Sequence, residues 1–306
     1  MTSNWHVDAM QHASVSAKIR IDAASRIDST SKVNGCRFHE PVVPTVARGN
    51  AAAKESRYGM RRGEGGMDMS GDSPCAVAAP VATSRTRVVV LRTTRGSMTN
   101  YNYVVVDVAT RQAVLVDPSW QADVVVGAVV DAGARVAGIL LTHSHPDHID
   151  LAASLGERFG CPLWMSKEEI AWSGYHAPGL VAIDETPFHV GSMTIRPMLT
   201  PGHTPGCMCY RVDDDLFTGD VLFAEGCGIC PDVGAALRMY DSLGRIRREI
   251  GETTRIYPGH SFGLAPGQSF ATVQRENIYL QFSNRDDFAA FRTRKGQSRA
   301  KLFTFH

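Results

Sequence analysis

From Arg85 onward the chain alternates short apolar runs with polar breaks, and before that point it does not. Residues 87–92, 103–107 and 113–117 are Val- and Leu-rich runs bounded by polar positions, which predicts three successive strands. Residues 122–132 suit a helix packed on them, with Gly133 as its stop. Residues 136–141 read as a buried strand, 151–159 as a helix, 163–165 as a strand and 193–199 as another. Residues 232–250 fit a longer helix whose inward positions are expected at Leu237, Tyr240, Leu243 and Ile246. Strands alternating with helices argue for α/β layers of helix on sheet.

The first 85 residues mix Ser, Ala, Gly, Arg and Met without a helix or strand period, and the reading for residues 1–85 is a poorly ordered extension. His6, His12 and His39 fall within it and carry no motif. A mitochondrial-type leader fits less well, because Asp8, Asp22 and Asp28 interrupt the acid-poor face such a leader needs. The folded unit is expected over residues 86–285, followed by a basic tail over 286–306.

Composition narrows the function classes. At 306 residues with 43% hydrophobic content, the chain can bury a sizeable core. A formal net charge of +1 gives no basis for a nucleic-acid surface. No apolar stretch approaches the roughly 18 residues of a membrane span, so no membrane association is expected. The seven cysteines (Cys36, Cys75, Cys161, Cys207, Cys209, Cys227 and Cys230) are odd in number, and no apolar signal segment accompanies them. That combination suits a reducing, cytoplasmic setting better than a disulfide framework.

The chemistry is concentrated in Thr142-His143-Ser144-His145-Pro146-Asp147-His148, directly after the buried run. In an extended segment residues two apart point the same way, so His143 and His145 aim at one place. Asp147 and His148 lie where the chain can turn toward a second. His203, in Pro-Gly-His-Thr-Pro-Gly, Asp220, in Thr-Gly-Asp, and His260, in Tyr-Pro-Gly-His, each close a further strand-like run. Ligands gathered at one edge of a sheet can converge despite wide separation in sequence, and the set suits two adjacent cations. A water near two divalent cations is acidified, which makes hydrolysis the expected chemistry. No Gly-x-Ser-x-Gly elbow points to a serine nucleophile instead.

These motifs resemble the metallo-β-lactamase superfamily, and within it the glyoxalase II-like thioester hydrolases, over about residues 87–292. The resemblance implies an αββα sandwich with the active site along one edge. It further implies that His143, His145 and His203 hold one metal, that Asp147, His148 and His260 hold the other, and that Asp220 bridges them. The two divalent ions are expected to be zinc, with iron or manganese as alternatives. The hydroxide they share would attack the substrate, with Asp147 as the catalytic residue that orients it. The main zinc β-lactamase groups use a Cys in the later motif where this chain has Asp220, which argues against an antibiotic substrate.

Glu225-Gly-Cys-Gly-Ile-Cys230, Tyr257-Pro-Gly-His-Ser-Phe-Gly263 and Asn277-Ile-Tyr-Leu-Gln281 are similar to segments of stand-alone hydrolases encoded with trans-acyltransferase polyketide synthases. That likeness implies an acyl thioester substrate, with an acyl carrier protein as partner. Hydroxyacylglutathione hydrolase is the alternative. Against it, Ile229 stands where a basic residue is usual, and only 46 residues follow His260, too few for that family's C-terminal helical domain. A mononuclear iron persulfide dioxygenase is a third reading, for which Gly226-Cys227-Gly228 is a partial match. Cys227 and Cys230, and Cys207 and Cys209, are expected as buried or loop-lining thiols. His176 and His189 lie outside the matching motifs, and the basic residues 292–301 are expected in solvent, with docking of an acidic carrier protein as one use.

Overall fold

The computed structural model describes residues 85–294. Two six-stranded sheets face each other. The first holds β1 (Thr86–Arg95), β2 (Met98–Asp107), β3 (Gln112–Val116), β4 (Arg135–Leu140), β5 (Leu163–Ser166) and β6 (Leu180–Ile183), in that order. The second runs from β7 (Phe188–Val190) through β8 (Met193–Leu199), β9 (Met208–Val212), β10 (Asp215–Gly219) and β11 (Arg255–Pro258) to β12 (Gln268–Ser269).

Side-chain alternation explains why the central strands are apolar at nearly every position. In β2, Tyr103 and Val105 point into the space between the sheets, while Val104 and Val106 point outward beneath helices α1 (Ala122–Asp131) and α3 (Ala152–Phe159). Around β4, Leu140 faces inward, and Ile139 and Leu141 face the helices. A strand covered on both faces has no position at which water selects a polar residue. Across the gap, Phe217 and Tyr257 stack with centroids 5.1 Å apart, and Tyr103 leans on both at 5.3 Å. The Tyr103 hydroxyl donates to Pro258 O, which ties the first sheet to the second beside the ligand loops.

The outer face of the second sheet is covered by α5 (Val233–Glu249), α6 (Phe270–Glu276) and α7 (Arg285–Arg292), giving the four layers α, β, β, α. The predicted seam of α5 is half right. Leu243 and Ile246 are buried, but Leu237 and Tyr240 only flank a seam that runs through Ala235, Ala236, Met239 and Ser242. The basic tail expected from residue 286 begins inside α7, which buries Phe288 and Ala289, and Arg292, expected in solvent, is buried with them. Residues 295–306 and 1–84 lie outside the described residues, and with them His6, His12, His39, Cys36 and Cys75. Among the described residues no helix is long and apolar enough to cross a membrane.

Topology places the site. β3, β4, β5 and β6 run parallel to one another, as do β10 and β11, so the loops after β4 and after β10 and β11 leave from strand C-terminal ends. The short helices α2 (Pro146–Ile149) and α4 (Lys167–Ser173) follow β4 and β5 on this edge.

Candidate metal centre

All seven candidate ligands meet at that edge. His143, His145 and His203 offer ring nitrogens within 4.8 Å of one another, and Asp147, His148 and His260 form a second group on the same criterion. His145 Nδ1 lies 3.1 Å from His143 Nε2 and 2.9 Å from His203 Nε2. Asp220 sits between the groups. Its Oδ2 is 3.5 Å from both His203 Nε2 and His260 Nε2, and its Oδ1 is 3.4 Å from His148 Nε2. Asp147 Oδ2 lies 3.4 Å from His260 Nε2 and 3.6 Å from His148 Nε2.

What lies behind the rings fixes which nitrogen faces inward. His148 Nδ1 donates to Asp117 Oδ2 at 2.9 Å, His203 Nδ1 to Ile229 O at 2.7 Å and His260 Nδ1 to Thr99 O at 2.9 Å. Each bond places the proton on Nδ1 and leaves Nε2 as a lone-pair donor aimed at the centre. Two buried polar atoms there, His148 Nε2 and Asp220 Oδ1, have no hydrogen-bond partner. Orphaned buried acceptors are costly unless a cation takes them, and nitrogen and carboxylate donors in this number suit zinc or a similar divalent ion. The residues present therefore fit a metal centre.

Electrostatics agree with that fit. Burial and the neighbouring His148 and His203 hold the His143 imidazole well below its usual pKa, which favours the neutral ring a metal would need. Burial alone would push the Asp220 carboxyl up, but the facing His260 and His148 hold it well below the carboxylate range. The close approach of the loops also requires two glycines. A Cβ on Gly259 would lie 2.5 Å from His148 Cε1 and 2.8 Å from Asp220 Oδ1, and one on Gly228 would lie 1.9 Å from Asp220 O.

Four supporting residues escaped the sequence reading. Asp117, in the left-handed region at φ 48°, accepts from the Thr142 amide and hydroxyl as well as from His148. Asn100 donates to Asp147 O at 2.6 Å and to its Oδ2 at 3.3 Å. Glu169, fully buried, joins the loop of His145 to that of His203. Arg292, 4% exposed, donates from Nε to Gly228 O at 2.9 Å and lies over the Tyr279 ring. The run ending at Asp117 was visible, but its role required knowing that β3 and β4 are neighbours.

His145, Asp147, His203, Asp220 and His260 line a cleft of about 500 Å³ whose walls include Met98, Trp172, Phe223, Ile229, Phe262 and Tyr279. His176 and His189 are exposed and do not line it. Cys207, Cys209, Cys227 and Cys230 are buried free thiols, as expected, and no described cysteine joins a ligand group. Burial pushes the Cys230 thiol up to about 11, which leaves it a poor nucleophile.

Similarity to known proteins agrees with this geometry. The profile of the metallo-beta-lactamase superfamily matches residues 97–260. The chain is 40% identical over 209 residues to a Bacillus subtilis protein described as a probable polyketide biosynthesis zinc-dependent hydrolase, PksB, covering 68% of this chain and 93% of that one. It is 36% identical over 164 residues to a hydroxyacylglutathione hydrolase of Rhizobium meliloti, covering 51% and 60% of the two chains. Among solved structures, ETHE1 of Myxococcus xanthus superposes with a TM-score of 0.61 at 29% identity, over 70% of this chain and 94% of that one. With its αββα sandwich, its edge of candidate metal ligands and a profile match across residues 97–260, the chain belongs to the metallo-β-lactamase superfamily.

Proposed function

We propose that the protein is a zinc-dependent hydrolase of acyl thioesters acting in polyketide biosynthesis, on substrates carried by an acyl carrier protein. The observation that carries the proposal is the position of Asp220 between two histidine groups, with two buried atoms there, His148 Nε2 and Asp220 Oδ1, lacking a hydrogen-bond partner. His143, His145 and His203 would hold one ion, Asp147, His148 and His260 the other, and Asp220 would reach both. Divalent ions held there supply Lewis acidity, lowering the pKa of a nearby water and polarising a carbonyl.

The chain's own residues do the rest. Asp147, steadied by Asn100, would orient the attacking water toward a carbonyl in the cleft. The water adds to the carbonyl carbon with release of a proton, the C–S bond breaks, and the thiolate, a good leaving group, departs without needing a dedicated acid. Aromatic and aliphatic walls favour an apolar acyl group and exclude bulk water. Arg292 donates from Nε to Gly228 O and so steadies the loop that carries Ile229, an aliphatic residue in the cleft wall where a basic side chain would suit glutathione. The likeness to PksB supports the polyketide setting.

Hydroxyacylglutathione hydrolysis is the second reading, favoured by the 36% identity to the Rhizobium meliloti protein. Hydrolysis of one acyl group presented on carrier protein, coenzyme A and glutathione decides between them. A specificity constant highest for the carrier protein supports the proposal, and one highest for glutathione overturns it in favour of the second reading.

A further inference from the structure

Glu169 is a fully buried carboxylate that is no metal ligand, and its surroundings connect it to both ligand loops of one ion site. Its position in the sequence is that of a helix capping box, Ser166-x-x-Glu169 at the start of α4. Ser166 does its part, its hydroxyl accepting from the Glu169 amide at 3.0 Å. In an ordinary box the glutamate would reach back toward the cap residue's own amide. Here the side chain points elsewhere. Oε1 accepts from the Ser144 amide at 2.8 Å and the Ser144 hydroxyl at 2.6 Å. Oε2 accepts from the Thr204 hydroxyl at 2.6 Å and the Gly206 amide at 3.1 Å.

Ser144 lies between His143 and His145, and Thr204 follows His203. One carboxylate thus fastens the backbone beside all three ligands of the first ion group. The two loops belong to different sheets, the first following β4 and the second lying between β8 and β9. The clamp is reinforced from the same helix end, where the Ser166 hydroxyl donates to Gly206 O at 2.5 Å. Gly206 must be a glycine for the loop to come this close, since a Cβ there would lie 2.0 Å from the Glu169 amide nitrogen. None of the four bonds reaches Asp147, His148 or His260.

We propose that Glu169 is the positioning residue of the first ion site, setting the spacing of His143 and His145 against His203 and acting on that site alone. The proposal rests on the reading that these three histidines hold an ion. A buried carboxylate with four donors is stable because each lone-pair direction is used. Glu169→Gln keeps the volume but turns an NH2 group toward donors. The backbone amides of Ser144 and Gly206 cannot reverse, so one ligand loop must shift.

Zinc affinities of the two sites, measured by competition with a chromogenic chelator, test this. Glu169→Gln is expected to weaken one ion by on the order of 10- to 100-fold and leave the other within about twofold, the scale of partners just behind metal ligands. In a His203→Ala background the first site is already disabled, so adding Glu169→Gln should leave the remaining affinity unchanged. Ser144→Ala removes one hydroxyl donor and keeps the amide. It should weaken the same ion several-fold, and it serves if the glutamine variant does not fold. Equal weakening of both ions, or a further loss in the His203→Ala background, would show general support of the fold and overturn the proposal. Unchanged affinities overturn it while sparing the two-ion reading, and a parent protein that takes up no zinc overturns both.

Discussion

Strand β2 begins at the metal edge and ends at the opposite edge of the sandwich, and each end lies beside a carboxylate that water barely reaches. At the far end Asp107 is saturated: the Ala109 amide at 2.9 Å, the Thr110 amide at 3.3 Å, the Thr110 hydroxyl at 2.6 Å and the Ser192 amide at 2.6 Å all donate to it. Burial pushes its carboxyl up, but the Thr110 and Ser192 hydrogen bonds win and hold it at about 2. Asp220, at the near end, faces histidine rings, and its Oδ1 has no hydrogen-bond partner. Burial and a low pKa do not distinguish the two. Satisfaction does: a carboxylate with complete donors serves the fold, and one left open among imidazole rings is available to a cation.

The comparison breaks most directly at Asp220. Asp220→Ala removes the group that reaches both ion sites, and turnover should fall by about three orders of magnitude or more, with the melting temperature of the metal-free protein nearly unchanged. Steady-state kinetics and a thermal melt check this, and near-parent turnover would contradict it. Asp107→Ala should do the reverse. Leaving buried donors unpaired costs about 2 kcal/mol of stability, read from a denaturant midpoint, while kcat/KM stays within about twofold.

Substrate choice sharpens the metal-edge side of the comparison. Ile229 stands in the cleft wall where a basic residue would hold glutathione, so carrier-protein thioesters should exceed the matched glutathione thioester by at least about tenfold in kcat/KM, roughly 1.4 kcal/mol of transition-state binding. The smallest effect concerns acid. A carboxyl whose pKa is lowered on folding contributes stability that is complete above its unfolded value, near 4, and is lost as pH falls toward about 2. Acid unfolding of the metal-free Asp107→Ala protein should therefore be shallower than the parent's between about pH 4 and pH 2. Parallel curves would show that Asp107 does not carry that limb.

The candidate ligands were legible because each motif is local, a histidine or aspartate at the end of an apolar run, with a glycine directly before Asp220, His203 and His260. The strands were legible in apolar runs such as Val104-Val105-Val106, but that two sheets face each other was implied only by the resemblance. Residues that act across the fold were not. Asp117 matters because β3 lies beside β4, and Glu169 because α4 ends up between loops of two sheets. Arg292 sits in a run of basic residues whose charge reads as solvated, and only the packing of Phe288 and Ala289 brings it inside. The α5 seam was misplaced because its true line is built on Ala235, Ala236 and Ser242, which carry little apolar signal.

Metal content is the most direct test of the central claim. Protein loaded with zinc, freed of loosely held ions and measured by elemental analysis should hold two ions per chain, because seven convergent ligands exceed what one four- or five-coordinate ion can use. A fully loaded sample with one ion per chain, and with His148 and His260 unliganded, would contradict it.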